Sequence, residues 1–261
     1  MVKRYYPEIP KYNLIEITNK KNNYCICVPV INEGQKFKNF LGKLKKYSNI
    51  VDILILDGGS TDDSVNLKFL RKNKVSALLV LNQSGKLSAQ LRMGYYYSLK
   101  RKYKGILTID GNGKDDPIAI PQFIKELSNG YDYLQGSRFL NQGKGINTPI
   151  IRYLAIRLLH APILSLTSGF WYTDTTPGYR GYSNKLLNSD RLKIFRDMFY
   201  SYELLAYISA QAPRLGYKTK EIPIIRSYPK TGRIPTKIKG IKGEIDLFVT
   251  LLKSVFGYFN A

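Results

Sequence analysis

Val51-Asp52-Ile53-Leu54-Ile55-Leu56-Asp57-Gly58-Gly59-Ser60-Thr61-Asp62 is the stretch that decides the fold. Its apolar run has no alternation, so it reads as a strand covered on both faces, the habit of a parallel sheet. It ends on an aspartate and two glycines that let the backbone turn tightly and approach a ligand. Ser60 or Thr61 then suits the cap of a following helix. Working outward from this strand (Val51–Asp57), others are predicted at Tyr24–Val30, Val75–Leu81 and Gly105–Asp110. Helical patterns lie between them at Gln35–Tyr47, Thr61–Lys72 and Lys86–Lys102. The alternation predicts an α/β fold with a mostly parallel central sheet flanked by helices. Such sheets bind ligands beyond the carboxyl ends of their strands. Asn32 and Glu33, Asp57 and Asp110 all fall at such ends.

The second half is less regular. It predicts a strand near Tyr131–Gln135, a helix with basic residues over Ile150–Leu166, a helix near Tyr202–Ala212 and a strand at Lys218–Ile225. Arg226–Lys242 reads as a Pro/Gly/basic loop. In Glu244–Phe259, the residues Ile245, Phe248, Val249, Leu252, Phe256 and Phe259 follow helical spacing. The expected organisation is an N-terminal extension (1–22), a catalytic domain (23–240) and a C-terminal amphipathic helix (241–261). That helix either packs on the domain or lies in a bilayer surface.

The chain has 261 residues, a one-domain length, and a formal net charge of +22. A field of that size favours anionic partners such as acidic lipid surfaces or phosphorylated substrates. Nucleic acid is not expected, because no helix-turn-helix, zinc or RNP-type signature is present and the acidic residues sit at strand ends. A single histidine, His160, and two cysteines argue against structural zinc. Cys25 and Cys27 are expected on opposite strand faces or too awkwardly placed to bridge, as small core residues of a reduced cytosolic protein. The N-terminus lacks the apolar run of a signal peptide. No stretch reads as a run of roughly 18 apolar residues, so membrane attachment is expected to be peripheral, at the cytoplasmic face.

Three segments carry chemistry. Pro29-Val30-Ile31-Asn32-Glu33 and Asp57-Gly58-Gly59 bring polar groups to one sheet edge, where a carboxylate can accept from a nucleobase or ribose. Asp110-Gly111-Asn112 offers oxygens to a divalent cation of the kind that shares its ligands with a diphosphate. In order and spacing the three resemble the GT-A fold of family 2 inverting glycosyltransferases. The resemblance implies that Pro29, Val30, Asn32, Glu33, Asp57, Gly59 and Lys86 bind the nucleotide of a sugar donor. It also implies that Asp110 and Asn112, in the place of a DxD motif, bind Mg²⁺ or Mn²⁺. Asn112 departs from that motif, and a neutral amide binds a cation more weakly than a carboxylate. Either Asp110 carries most of the metal binding, or Asp115 or Asp116 assists, or Lys114 takes over part of the charge role.

The second half resembles the polyprenyl-phosphate branch of that family, with the likeness running over residues 24–240. Gly136-Ser137-Arg138 and Asp174-Thr175-Thr176-Pro177-Gly178-Tyr179-Arg180 carry it, with Pro177 and Tyr179 as departures. The implied acceptor or phosphate contacts are Arg138, Arg152, Arg180, Arg226, Arg233 and Lys237. Asp110, Asp174 and Glu203 are the implied catalytic carboxylates. A phosphate acceptor is already a nucleophile at neutral pH and needs arginines for placement. A glycan hydroxyl, the competing acceptor in cell-surface polysaccharide synthesis, needs a base such as Asp174 or Glu203.

Overall fold

The computed structural model describes residues 7–230 and 240–259. In chain order its strands and α-helices are β1 (Tyr12–Glu16), β2 (Tyr24–Val30), α1 (Gly34–Leu44), β3 (Asp52–Asp57), α2 (Leu67–Lys72), β4 (Val75–Leu81), α3 (Leu87–Lys100) and β5 (Gly105–Thr108). There follow α4 (Ile120–Ser128), β6 (Tyr133–Ser137), β7 (Lys144–Ile146), α5 (Ile150–Ala155), α6 (Ala161–Ser168), β8 (Arg180–Ser183) and α7 (Asn184–Leu187). The last are α8 (Glu203–Arg214), β9 (Thr219–Pro223), β10 (Ile225–Ser227) and α9 (Gly240–Val255).

The main sheet has eight strands in the order β1-β4-β3-β2-β5-β8-β6-β9. β4, β3, β2 and β5 run parallel, as the apolar runs predict. β8 enters antiparallel between β5 and β6. β3 is buried along its whole length because helices cover both faces. Alternate residues serve two cores. Ile26, Val28, Ile53 and Ile55 pack with α1 and α4, whereas Cys25, Cys27, Leu54 and Leu56 pack with α3 and α8.

Several expectations change. Residues two apart on a strand share a face, so Cys25 and Cys27 point the same way; both lie near Ser98 Oγ, at 3.2 and 3.9 Å, and both are free thiols. The N-terminal extension is not separate, because β1 pairs antiparallel with β4 in the sheet. Ser60 and Thr61 do not cap the next helix. Asp62 caps a short 3-10 turn, and Asn66 Oδ1 caps α2 by accepting from Phe69 N at 3.2 Å. The basic helix continues through a π-helical stretch, Ile156–His160, into α6. Ile150–Ser168 is 19 residues with mean hydropathy 1.3, long and apolar enough by composition to cross a membrane, contrary to the sequence reading. Arg152, Arg157 and His160 interrupt the run by eye but not on average. The tail helix α9 packs on α6 and α8. Leu251 and Val255 of this helix and Phe259 beyond its end are buried, while Phe256, part of the apolar stripe read from the sequence, is exposed.

Candidate functional site

β2 sits between β3 and β5, and the chain leaves it first toward β3 and later toward β5. The strand order reverses there, which opens a crevice at the carboxyl ends. Val30 is the register partner of Asp57, and Gly111 N donates to Pro29 O at 3.2 Å. The Asn32–Glu33, Asp57 and Asp110 segments therefore share one sheet edge, as expected.

The β2 and β3 exits form one hydrogen-bonded unit. Asn32 takes a left-handed φ of 47°, which asparagine tolerates, and its Oδ1 accepts from Thr61 N (2.8 Å) and Asp62 N (3.2 Å). Asp57 accepts from Ser60 N and Ser60 Oγ, the latter at 2.5 Å, and from Gly59 N at 3.2 Å. Beneath them Gln90, buried in α3, donates from Nε2 to both Val30 O (2.9 Å) and Leu56 O (2.8 Å). No sequence expectation attaches to Gln90; a polar amide among the apolar positions of the helix after β4 is the signal that was available. Asn32 Oδ1 and Asp57 thus hold the loops, leaving the backbone and glycine surfaces of the turns to face the crevice. Lys86 is exposed at the start of α3, and its backbone N donates to Tyr200 O.

Asp110 stands at the centre. A side chain at position 178 would collide with Asp110 Oδ1, so glycine there lets the carboxylate keep its place. Thr108 Oγ1 donates to Gly178 O at 2.8 Å and fixes that approach. The residues after Asp110 are zipped to β10: Ser227 N donates to Lys114 O and Asp116 N to Ile225 O. Arg226 is thereby brought against both Asp115, through Nη1, and Asp110, through Nη2 at 3.4 Å. Burial, with Arg226 beside it, lowers the Lys114 ammonium to about 8.

Tyr228 gathers the cations. Arg138 Nη1 donates to its hydroxyl at 3.0 Å, Arg152 hydrogen-bonds it, and Arg226 lies 5.9 Å from its ring centroid. Burial alone would raise the phenol, but Arg226 and Arg138 outweigh it and lower the pKa. No sequence feature singled out Tyr228, because two of its partners, Arg138 and Arg152, are remote in sequence.

Other assignments turn inward. Arg138 is engaged by Asp174, Thr176 and Tyr228. Arg180 donates to Leu205 O (2.6 Å), Ser209 Oγ, Thr175 O and Pro177 O. Each spends four of its five N–H donors inside the protein and is almost wholly buried, so both act chiefly as ties that shape the site. Asp174 has no exposed surface and is clamped by Arg138 at 2.7 Å, which removes it as a base. Glu221, not anticipated, accepts from Thr173 N and Asp174 N and holds that loop from below. Burial, only partly offset by these hydrogen bonds, raises its pKa to about 7. Glu203, partly exposed, accepts from Ser201 N at 2.5 Å. Arg233 and Lys237 lie outside the described residues.

The donors for a divalent cation are poor. Hard cations require several oxygens, usually with carboxylates among them. Asn112 Oδ1 accepts from Lys114 N at 3.2 Å, and both Asp110 and Asp115 face Arg226. Among the described residues no group of three or more His, Cys, Asp or Glu could hold a metal. These residues do not fit the ion that the family resemblance implies.

No family model matches the chain. It is 26% identical over 226 residues to the undecaprenyl-phosphate mannosyltransferase of Micrococcus luteus, spanning 85% of this chain and 90% of that one. It is 24% identical over 203 residues to the polyprenol monophosphomannose synthase of Mycolicibacterium smegmatis, with 76% and 75% covered. Among solved structures it is similar to glucosyl-3-phosphoglycerate synthase of Mycobacterium tuberculosis in complex with Mn²⁺, UDP and glucosyl-3-phosphoglycerate, at a TM-score of 0.62 and 12% identity, covering 90% of this chain and 78% of that one. A divalent ion therefore accompanies the nucleotide in a neighbour of this fold. With the crevice at the strand reversal, these likenesses place the chain: it is a glycosyltransferase of the GT-A fold, similar in sequence to polyprenyl-phosphate sugar transferases.

Proposed function

We propose that the chain transfers a hexose, with inversion, from a nucleoside diphosphate sugar to a polyprenyl phosphate at the cytoplasmic face of a membrane. The observation that carries this reading is the double character of α5 and its continuation. Arg152 reaches Tyr228, beside Arg138 and Arg226, whereas Ile151, Leu158 and Leu166 stand in solvent. A cationic pocket at the root of an exposed apolar face suits an acceptor with a phosphate head and an isoprenoid tail. The names of the similar proteins from Micrococcus and Mycolicibacterium agree with that acceptor.

The chemistry follows from the residues. Backbone around Asn32, Glu33, Asp57 and Gly59 receives the nucleoside, and Lys86 stands at the start of α3 on the diphosphate side. The acceptor phosphate, already anionic, attacks the anomeric carbon without a general base. Arg152 places it by charge-assisted hydrogen bonds. The leaving diphosphate is stabilised by fixed positive charge. Apolar side chains on Ile150–Ser168, with Trp171, enter the lipid surface, and the net charge of +22 draws the protein to an anionic leaflet.

Purified protein incubated with UDP- and GDP-hexoses, and with undecaprenyl phosphate or a saccharide as acceptor, tests the reading. Product on the lipid phosphate is expected. Transfer to the saccharide alone would replace it with the hydroxyl-acceptor reading, in which Glu203 is the remaining base. Arg152→Ala should raise the lipid phosphate requirement roughly tenfold, the worth of one charge-assisted bond, with nucleotide affinity unchanged.

A further inference from the structure

The misfit between Asp110–Asp116 and a divalent ion has a positive counterpart. A site built for a dication holds surplus carboxylate, so that the metal neutralises protein and diphosphate together. Here the surplus is gone. Asp110 and Asp115 are matched by Arg226, which contacts both, and by Lys114, whose ammonium neighbours the same carboxylates. Asn112, in place of a second carboxylate, uses its oxygen on the backbone N–H of Lys114. Asp115 Oδ1 has no partner, but that side chain is fully buried, and an ion riding on a diphosphate in the crevice would not reach it.

Lys114 is the second observation. It is only 7% exposed, yet among the described residues its ammonium forms no ion pair or hydrogen bond. Its Nζ lies 5.8 Å from the centroid of the Tyr228 ring. Burial costs this ammonium solvation that the neighbouring Asp110 and Asp115 offset only in part, since it makes no direct hydrogen bond to either. The arrangement makes physical sense if an anionic ligand completes it. Lys114 lies along the same loop as Asp110, where the nucleotide-sugar reading puts the donor diphosphate.

We propose that Lys114 and Arg226 stand in for a divalent cation at the donor diphosphate, so that this transferase works without a metal. The inference rests on the donor assignment above. In the reaction, the bond between the anomeric carbon and the diphosphate oxygen breaks, with its electron pair leaving on the diphosphate. The acceptor phosphate oxygen forms the new bond, and the nucleoside diphosphate gains the negative charge that the acceptor loses. Lys114 and Arg226 meet that developing charge with fixed cations that need no recruitment from solution. No proton has to move.

Titration calorimetry of the full chain with UDP and with GDP, in excess EDTA and again in MnCl₂, tests this directly. One of the two nucleotides should bind with the same affinity, within roughly twofold, in both conditions. Lys114→Gln should weaken that binding roughly tenfold or more in EDTA, with an unchanged melting temperature. Binding by the unaltered chain that vanishes in EDTA and returns with Mn²⁺ would overturn the inference while leaving the donor assignment standing. Failure of both nucleotides to bind in either condition would overturn the donor assignment and this inference with it. The comparison on the unaltered chain decides the matter even if the variant does not fold.

Discussion

Replacing Ile151 and Leu158 together by serine should release the protein from membranes without unfolding it. The two side chains are 80% and 66% exposed, so almost nothing is lost from the core. Fully burying such a side chain is worth about 1.5–3 kcal/mol. Scaled by the exposed share, lipid insertion contributes about 1–2.4 kcal/mol for each, or about 2–4 kcal/mol together. The partition coefficient should therefore fall about 30- to 1,000-fold. Folding stability should change by no more than about 0.5 kcal/mol per site. Sedimentation with vesicles of phosphatidylcholine and phosphatidylglycerol measures the effect. Ionic strength must be constant, since each nearby Lys or Arg adds about 1 kcal/mol at an anionic surface. Leu67→Ser, on the distant and partly exposed start of α2, is the control and should bind as the parent does. Equal sedimentation of parent and double variant would refute the assignment of this face to the bilayer.

Gly178→Ala should push the Asp110 carboxylate from its place and abolish transfer, with a native circular dichroism spectrum; near-normal turnover would remove Asp110 from the centre of the reaction. Asp174→Asn strips the partner from the buried Arg138 and should cost about 3–5 kcal/mol, seen as a fall in melting temperature of roughly 10 °C. Glu221 carries a folded pKa of about 7, raised by burial above its ordinary value of 4.5. Its protonated form is favoured by folding, so the stability it confers is complete below about pH 4.5 and is lost as pH rises through about 7. Chemical denaturation of Glu221→Gln should show that slope flattened by up to about 3 kcal/mol across this window, while an unchanged slope would mean the group titrates normally.

The parallel half of the sheet was legible because β2, β3 and β4 are apolar runs too short for helices and punctuated by Pro, Gly and Asp. Strand ends then placed Asn32, Asp57 and Asp110 at one edge before any coordinates. β8 was not legible. Its sequence, Arg-Gly-Tyr-Ser, has no strand pattern, and its burial comes from lying between β5 and β6. The same limit applied to the arginines. Residue type and local motif suggested phosphate contacts for Arg138 and Arg180, but burial and partners within the protein take most of their donors. Tyr228 shows the reverse case, an unremarked tyrosine made central by Arg226 two residues before it and by cations drawn from two other segments.

The short strand β1 has a consequence beyond architecture. β4 is apolar from Val75 to Leu81, and without a neighbour its outer ladder would offer open N–H and C=O groups to any passing chain. β1 occupies that ladder with residues that are mostly exposed, ends on Glu16, and is anchored where Tyr97 Oη donates to the Glu16 carboxylate at 2.7 Å. Residues 12–16 therefore act as a guard against self-association. A protein trimmed back to Tyr24 would keep its crevice and lose its solubility.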